Sequence, residues 1–281
     1  MPVVVLALLI VAGCGRGSAP EASTAAPTIV LPGDASGAWW DGKTKSLFVT
    51  DDTNHAILRW TGGAFQRVAE VPDARGLGGL IGLPDGRLVV TAFGGGTDGA
   101  VFVVADGKAS RVPGLDPARR RTGIALAPDG ALYVTFFTKP SGEPARGGVA
   151  QLALEKGETD LITDLAKPVG VTAGPLAVFV TDQQRNQLVS FARKDPSHSE
   201  AVVARDLAEP DLIEALPGGD LVVGSKTGVL YRITPAGGPS VIARGLGAIR
   251  GVAYDPVSKR LHVVEHGGAA KPSVLHLVAV E

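Results

Sequence analysis

The sequence contains few cysteine, methionine and aromatic residues. One Cys, one Met and 5% aromatic residues occur in a chain of 281, so no disulfide framework can form within it. The formal net charge is −1, which gives no reason to expect nucleic acid as a partner. Three arginines at 119–121 are the one basic run, expected to be a solvated loop. The 3.6-residue apolar period of helical repeats is also missing.

Glycine is abundant, and a hairpin pattern repeats along the chain. The 38 glycines fit short strands with many turns. Residues 123–137, GIALAPDGALYVTFF, have two apolar runs around Pro-Asp-Gly, the pattern of two antiparallel strands and a tight turn. The second strand recurs as SLFVTDD (46–52), RLVVTAF (87–93), ALYVTFF (131–137), AVFVTDQ (177–183), DLVVGSK (220–226) and RLHVVEH (260–266).

The spacing of these hairpins predicts the architecture. Their first strands begin at Gly37, Gly79, Gly123, Gly170, Leu212 and Gly251, at intervals of 42, 44, 47, 42 and 39 residues. This period is that of a four-stranded propeller blade. We therefore predict an all-β fold, a six-bladed β-propeller with four antiparallel strands per blade. In the first repeat the strands are expected at 36–41, 46–51, 56–61 and 65–70.

The two ends of the repeat region predict how the propeller closes. Residues 251–281 contain three strands, and the apolar run at 28–31 has no hairpin partner of its own. We expect this N-terminal run to supply the outer strand of the sixth blade, because closure hides the edges that an open array exposes. A seven-bladed ring with one degenerate blade is the alternative, and the longest interval, 47 residues, leaves no room for it.

An apolar segment at 3–12 precedes Cys14 and is too short to span a bilayer as a stable helix. The tetrapeptide Val-Ala-Gly-Cys at 11–14 resembles the lipobox of bacterial lipoproteins, whose cysteine becomes lipid-modified. The alternative is an ordinary secretory signal with an incidental cysteine. We predict a lipoprotein signal peptide at 1–14, a flexible tether at 15–27 and the propeller at 28–281.

This leader predicts a location in the bacterial cell envelope. The chain is expected to be lipid-anchored, either facing the periplasm or in the outer membrane. The lipid on Cys14 is its expected membrane contact.

Two rings of residues are expected at one mouth of the propeller channel, where first strands start and second strands end. The inner ring contains Ser36, Gly78, Thr122, Val169, Asp211 and Arg250. The second ring contains Asp51, Ala92, Phe136, Asp182, Ser225 and Glu265, with Asp52, His55, Arg185, Lys226 and His266 in adjoining loops. The candidate ligand-binding residues are Asp211, Arg250, Asp51, Asp182, Glu265, Thr122 and Ser36.

Each charged candidate also has a structural interpretation. Asp211 and Arg250 begin adjacent blades, where they form either a polar clamp for a ligand or an internal ion pair that fills the channel. Asp51 and Asp182 are followed by polar loops whose N–H groups a short carboxylate can cap. Glu265 is a candidate general base beside His266. Neighbouring strand residues point to opposite faces, however, so both cannot reach one substrate from regular geometry.

Four segments carry a resemblance to known propellers. VTDDTNHAILRW (49–60) and VTDQQRNQLVSF (180–191) resemble NHL repeats and SMP-30/gluconolactonase/LRE-like propellers. TGIALAPDGALYV (122–134) and PDLIEALPGGDLVV (210–223) are similar to inner strands of the latter family. The resemblance implies a six-bladed propeller over most of residues 28–281, and its active members are sugar lactonases.

The resemblance also implies a metal site, which this sequence retains at one position. The family holds one divalent metal through a Glu, two Asn and an Asp, and the matching positions here are Ser36, Thr122, Val169 and Asp211. Asp211 is the sole match, and a hard cation needs several oxygen ligands. We therefore expect no metal cofactor. The alternative is a rearranged site for a divalent metal such as calcium around Asp211, Asp51 or Glu265.

Three functions follow from these observations. The first is binding of a small ligand or a protein partner at the channel mouth by a monomer, without the family's metal-dependent catalysis. The second is lactonase-like hydrolysis of a sugar lactone. The third is a scaffold that uses the loops at 94–99 and 138–147 as protein contacts.

Overall fold

The computed structural model describes residues 28–235, 238–268 and 271–280. The predicted signal peptide, tether and lipidation site Cys14 lie outside these residues. The regular secondary structure of the described chain is β-strand, apart from two short 3₁₀ turns at Gly94–Gly96 and Pro196–His198. Within these ranges, no helix is long and apolar enough to cross a membrane.

The strands agree with the hairpin pattern of the sequence. The four expected in the first repeat are found within one residue of their predicted ends. In chain order the strands are β1 (Thr28–Val30), β2 (Ala35–Asp41), β3 (Ser46–Asp51), β4 (Ala56–Trp60), β5 (Phe65–Glu70), β6 (Leu77–Gly82), β7 (Leu88–Ala92), β8 (Ala100–Ala105), β9 (Lys108–Arg111), β10 (Arg120–Leu126), β11 (Leu132–Thr138), β12 (Arg146–Ala153), β13 (Gly157–Leu165), β14 (Pro168–Ala173), β15 (Ala177–Asp182), β16 (Gln187–Ala192), β17 (Ala201–Ala204), β18 (Pro210–Ala215), β19 (Leu221–Ser225), β20 (Leu230–Thr234), β21 (Gly238–Ala243), β22 (Ala248–Asp255), β23 (Arg260–His266) and β24 (Val274–Ala279).

Four-stranded antiparallel meanders are the building unit. Strands β10–β13, β14–β17 and β18–β21 form separate sheets, and β2–β5 is joined to β6–β9 by a single parallel pair, Glu70 with Lys108. A further sheet has the order β1-β24-β23-β22. In it Ile29 lies opposite Leu275, so the first described strand pairs with the last. The chain is therefore all-β, with the arrangement of a β-propeller.

The core lies between the sheets. Each hydrophobic cluster joins two neighbouring sheets, as where Phe48 of β3 packs with Val90 and Phe102. Another cluster brings Leu47 together with Val264 and Leu275 from the end of the chain. Both faces of the middle strands are consequently apolar, because each sheet packs between two others.

Glycine at the start of the first strands has a steric reason. A Cβ at Gly37 would lie 2.0 Å from the carbonyl oxygen of Gly78, and one at Gly123 would lie 2.4 Å from that of Val169. Neighbouring innermost strands therefore approach too closely for a side chain. The same contact brings Gly251 against Ser36, so the last innermost strand packs against the first.

A threonine in the second strand ties neighbouring sheets together. The N–H of Gly123 donates to Thr135 Oγ1 at 2.8 Å, and this hydroxyl donates to the carbonyl of Val169 at 2.7 Å. Thr181 makes the equivalent bonds with Gly170 and Asp211, each at 2.7 Å. The threonine of the recurring Val-Thr pair therefore makes hydrogen bonds between neighbouring sheets.

The prediction that residues 119–121 form a solvated loop is wrong. Arg121 belongs to β10 and is completely buried. Its guanidinium donates to Glu158 Oε1 at 2.6 Å and to the carbonyls of Gly99 and Asp116. The carboxylate and carbonyl oxygens satisfy the buried charge, which makes its burial tolerable.

Candidate functional site

The predicted inner ring lies where the innermost strands are irregular. The strands β2, β6, β10, β14, β18 and β22 contact their neighbours of this set. Each has a register shift that contains one ring position, namely Ser36, Gly78, Thr122, Val169, Asp211 or Arg250. A bulge frees a residue from the regular ladder and changes the direction of its side chain.

Asp211 and Arg250 form an ion pair at this ring. Arg250 Nη1 lies 3.5 Å from Asp211 Oδ2, and Gln183 Nε2 donates to the same oxygen at 3.1 Å. Asp211 is buried, whereas the side chain of Arg250 retains 32% exposure. Burial raises the pKa of Asp211, while Arg250, Lys226 and Gln183 oppose that shift.

Arg250 is incompletely satisfied by this pair. Its Nε is buried and has no hydrogen-bond partner among the described residues. A guanidinium has five N–H donors in a planar fork, and it pairs well with carboxylates. Arg250 therefore combines an internal ion pair and a buried Nε, unsatisfied by the described residues, with a partly exposed side chain that a ligand can reach.

Lys167 lies beside the pair and was not identified from the sequence. Its Nζ donates to Gln183 Oε1 at 2.6 Å and lies 5.6 Å from the ring centre of Phe137. Burial lowers the pKa of Lys167, and the positive charges of Lys226 and Arg250 add to this effect. The signal in the sequence was its place directly before Pro168, where an innermost strand begins.

The mouth consequently carries an excess of positive charge. The charges of Lys226 and Arg250 both act on Lys167 and on Asp211, and Asp211 is the carboxylate that opposes these cations. A site with converging cations and one carboxylate favours an anion over a cation. Asp211 is buried, and exclusion of water lowers the effective dielectric constant around it, which strengthens electrostatic interactions there.

An aromatic surface adjoins these charges. The rings of Phe93 and Phe137 meet edge to face with 5.8 Å between their centres. The guanidinium of Arg120 lies 5.1 Å from the ring of Phe93 and donates to the carbonyl of Gly95 at 3.0 Å. Phe137 is buried and Phe93 is partly exposed, so an apolar part of a ligand can contact the Phe93 ring while its charged part meets the cations.

Asp51 and Asp182 bond to the loops that follow or adjoin them. Asp51 accepts the N–H of Asn54 at 3.1 Å and its side-chain amide at 2.7 Å. Asp182 accepts the N–H groups of Ala166 at 2.9 Å and Lys167 at 3.0 Å. These are capping contacts, and those of Asp182 hold the backbone from which the Lys167 side chain extends.

The remaining candidates do not converge on Asp211. Glu265 Oε2 lies 2.8 Å from His276 Nε2, whereas His266 pairs with Asp34 at 2.8 Å. These two neighbours have different partners, as alternation along a strand requires. The Thr122 hydroxyl bonds to Thr135 and to the carbonyl of Val169. The backbone carbonyl of Ser36 packs against Gly251 of the neighbouring innermost strand.

The positions that match the family's metal ligands do not form a cation cage. Val169 is buried and has no donor atom, and Asp211 faces the guanidinium of Arg250. Asp51 and Glu265 have partners of their own and do not complete the rearranged site. Throughout the described ranges, no group of three or more His, Cys, Asp or Glu residues could hold a metal. The donor set therefore does not fit a divalent ion.

Comparison with known proteins finds solved structures whose fold is similar to that of this chain. No protein-family profile matches the chain, and no curated protein matches it in sequence. A luciferin-regenerating enzyme superposes with a TM-score of 0.72 at 15% identity, over 91% of this chain and 96% of that one. A gluconolactonase from Xanthomonas campestris superposes with a TM-score of 0.71 at 20% identity, covering 90% and 89% of the two chains.

A third structural neighbour is a calcium-binding regucalcin from Agrobacterium tumefaciens. Its TM-score is 0.68 at 15% identity, with 88% of this chain and 91% of that chain covered. The neighbours thus match the propellers that the repeats resemble. The fold is a β-propeller. At these identities the likeness extends to the fold and carries no assignment of activity.

Proposed function

We propose that residues 28–281 are a closed six-bladed propeller whose channel mouth binds a small organic anion. The pairing of Ile29 with Leu275 and the packing of Gly251 against Ser36 support closure by the N-terminal strand. The protein would act as a monomer attached to the cell envelope through a lipid on Cys14. This role needs no metal.

The observation that carries the binding proposal is the convergence of three cations around one buried carboxylate. Arg250 retains an Nε with no partner among the described residues, and Lys167 and Lys226 lie near enough to influence each other's charge. Without a counter-ion this arrangement is electrostatically unfavourable. A bound anion relieves the repulsion and gains charge-assisted hydrogen bonds.

A hydroxylated carboxylate fits the site best. Its carboxylate would pair with Arg250 and the lysines, and Asp211 would accept a hydrogen bond from a hydroxyl group. Phe93, which packs on the buried Phe137, offers an apolar contact at one side. Sugar acids have this combination of groups, so gluconate is the probe we choose.

Isothermal titration of gluconate tests the proposal. Removing the charge in Lys226→Gln or Arg250→Gln is expected to weaken binding by about 10-fold or more, the size of a lost charge-assisted hydrogen bond. Lys194→Gln is the charge-matched control, since Lys194 is exposed and follows β16. Equal affinity in all variants, or no binding by the unchanged protein, would contradict the proposal.

The choice of two variants separates binding from stability. Arg250→Gln leaves Asp211 buried without its guanidinium, and that variant is expected to unfold more easily. Lys226→Gln leaves the ion pair in place. If Lys226→Gln loses gluconate binding but keeps its melting temperature, the loss is caused by the missing positive charge at the mouth and not by unfolding.

Lactone hydrolysis is a second candidate, favoured by two displaced pKa values. Burial raises the pKa of Asp211 and lowers that of Lys167, and both side chains contact Gln183. Uncharged Lys167 would accept a proton from the attacking water, whose oxygen bonds to the lactone carbonyl carbon. When the ring C–O bond breaks, the leaving oxygen would take a proton from Asp211.

This reaction is checked with gluconolactone as substrate. Hydrolysis above the spontaneous rate that survives EDTA and is lost in Lys167→Met would support it. Hydrolysis that is equal in Lys167→Met and unchanged protein would exclude this role for Lys167.

The envelope location has its own test. In the bacterium that makes the protein, the unchanged chain is expected in the detergent phase after detergent partition, and Cys14→Ala is expected in the aqueous phase. Equal partition of the two would contradict lipid attachment.

A further inference from the structure

A second cavity lies along the innermost strands, on the side where the first strands end. Its volume is about 330 Å³, within the range of small-molecule sites. Most side chains of the wall are apolar, including Leu80, Ile124, Val171, Leu212 and Val252, while polar atoms contribute slightly more than half of its accessible surface. Ala215 is exposed at its rim. The cavity also shares Trp39, Gly82 and Leu126 with a larger cavity of about 450 Å³ that reaches the turns.

Among the described residues, Glu214 is the one titratable side chain that lines the smaller cavity. It lies deep among the innermost strands and keeps partial exposure through the cavity. Its described hydrogen-bond partner is the backbone N–H of Tyr254, and no described charged group from the strands packed around it acts on it. Burial raises the pKa of Glu214 to about 8. The carboxyl is therefore mostly protonated at neutral pH.

A packing role does not explain this acid. A largely desolvated carboxyl without a counter-ion costs free energy, and an aliphatic side chain at this position would avoid that cost. What the position lacks is a cation. The rest of the cavity offers apolar side chains, polar atoms and room for a compact molecule.

We propose that this cavity binds a small primary amine with an apolar body, whose ammonium group pairs with the Glu214 carboxylate. The apolar body contacts Leu80, Ile124 and Val171. When the amine binds as an ammonium ion, the proton held by Glu214 is released to solvent, since a carboxylate is required for the pair.

This site is separate from the anion-binding mouth. Asp211 and Glu214 both belong to β18, but Asp211 lies in its bulge near the start and Glu214 lies past it. Arg250, Lys167 and Lys226 do not line the cavity. An amine and gluconate should therefore bind without competing.

Calorimetry of the full chain with hexylamine at pH 7 is the test. Repeating the titration in two buffers of different ionisation enthalpy measures the protons released. With a pKa of about 8 for Glu214, about 0.9 proton should leave per bound amine. Glu214→Gln should bind hexylamine about 10- to 100-fold more weakly and release none. Glu155→Gln, which removes an exposed acid, is the matched control.

The outcomes are distinct. The Glu214→Gln variant keeps an acceptor for the Tyr254 contact and has no charge to bury, so a melting temperature at least equal to that of the unchanged protein is expected. Hexan-1-ol should bind without proton release, because it cannot form the ion pair. The proposal is overturned if the unchanged chain does not bind hexylamine. It is also overturned if Glu214→Gln retains the same affinity and proton release.

Discussion

Arg121 and Arg250 differ in how completely their guanidinium groups are satisfied. Arg121 is surrounded by the Glu158 carboxylate and backbone carbonyls and has no exposed surface. Arg250 has one ion contact at 3.5 Å, partial exposure and an Nε that no described residue contacts by a hydrogen bond. The first arginine therefore has a structural role. The second has donors available to a ligand.

Replacing Arg121 is expected to destabilise the fold strongly. Arg121→Ala should lower the free energy of unfolding by about 3–5 kcal/mol, because a buried guanidinium is removed from Glu158, which keeps Arg119 alone, and from the carbonyls of Gly99 and Asp116. Urea denaturation measures the loss. Arg87→Ala is the control, since Arg87 pairs with Asp85 at an exposed turn and should show no measurable change. Similar losses in both variants would contradict this interpretation.

His262 is a buried histidine within an aromatic cluster. Its ring stacks on Trp40 with 5.1 Å between centres and meets Trp60 edge-on at 5.6 Å. Burial lowers the pKa of His262 to about 4, against an opposing effect of Asp255 and a small additional lowering by Arg260. The folded protein therefore holds this imidazole neutral under mildly acidic conditions.

Acid should weaken the fold through His262. Its folded pKa lies below the unfolded value, so the unfolded chain takes up the proton first as the pH falls from about 6.5 to about 4. The associated loss of stability is about 3 kcal/mol over that window. Comparing unfolding free energies at pH 7 and pH 4 for the unchanged protein and His262→Phe isolates this contribution. If both lose the same amount, His262 does not titrate as described.

At the level of the elements, a bulge and a threonine join four of the six innermost strands to the next sheet. The Thr135 hydroxyl accepts from Gly123 and donates to Val169, with both bonds buried. In β19 the equivalent place has Gly224 because Ile249 occupies the space, 2.4 Å from where a Cβ would be. Glycine therefore takes the place of the threonine in β19, where the Ile249 side chain of β22 fills the space.

Removing one of these threonine hydroxyls should lower the free energy of unfolding, even when valine keeps the shape of the side chain. Thr135→Val leaves the N–H of Gly123 unsatisfied in the interior and removes one of the two hydroxyl donors to the carbonyl of Val169. The expected loss is about 1–3 kcal/mol in unfolding free energy, measured by urea denaturation. Thr159→Val, at an exposed position of β13, is the matched control. An equal effect at the two positions would show that the buried bonds do not matter.

The strands themselves could be predicted because their signals are local. Alternation of apolar residues and the Pro-Asp-Gly turns placed β2–β5 within one residue of their ends. Arg121 could not be predicted in the same way. Three consecutive arginines are typical of a solvated loop, and the Glu158 that pairs with Arg121 lies 37 residues away. Its burial depends on a contact that no local pattern shows.

At the scale of the whole molecule, the proposed ring depends on β1. Leu31 directly after this strand is 2% exposed, and its N–H donates to the carbonyl of Ser273 at 2.9 Å. It packs with Leu47 and Val264, which belong to the first and last parts of the chain. The N-terminal segment thus contributes to the core where the two ends meet.

Deletion of residues 28–31 tests the closure. The expected loss is at least about 2 kcal/mol of unfolding free energy, the lower end for removing a buried leucine. Deleting 15–27, the predicted tether, should leave the stability unchanged. Unchanged stability after removal of 28–31 would contradict closure by this strand.

Part of the mouth was predictable and part was not. The repeat register placed Asp211 and Arg250 one position before the blade-starting residues, and the structure brings them to 3.5 Å. Lys167 and Gln183 come from a loop and a strand end of another sheet, and Asp182 positions the Lys167 backbone. Their meeting with Asp211 results from packing between sheets. The repeat pattern contains no information about it.

Turn chemistry, alternation and glycine spacing act over a few residues, so the repeated β-hairpins of a propeller can be read directly from the sequence. Which side chains share an environment depends on how the sheets pack. Burial gave Asp211, Lys167 and Glu214 their displaced pKa values, and burial depends on residues contributed by several sheets. The charge of the mouth and the lone acid of the second cavity are therefore properties of the assembled fold.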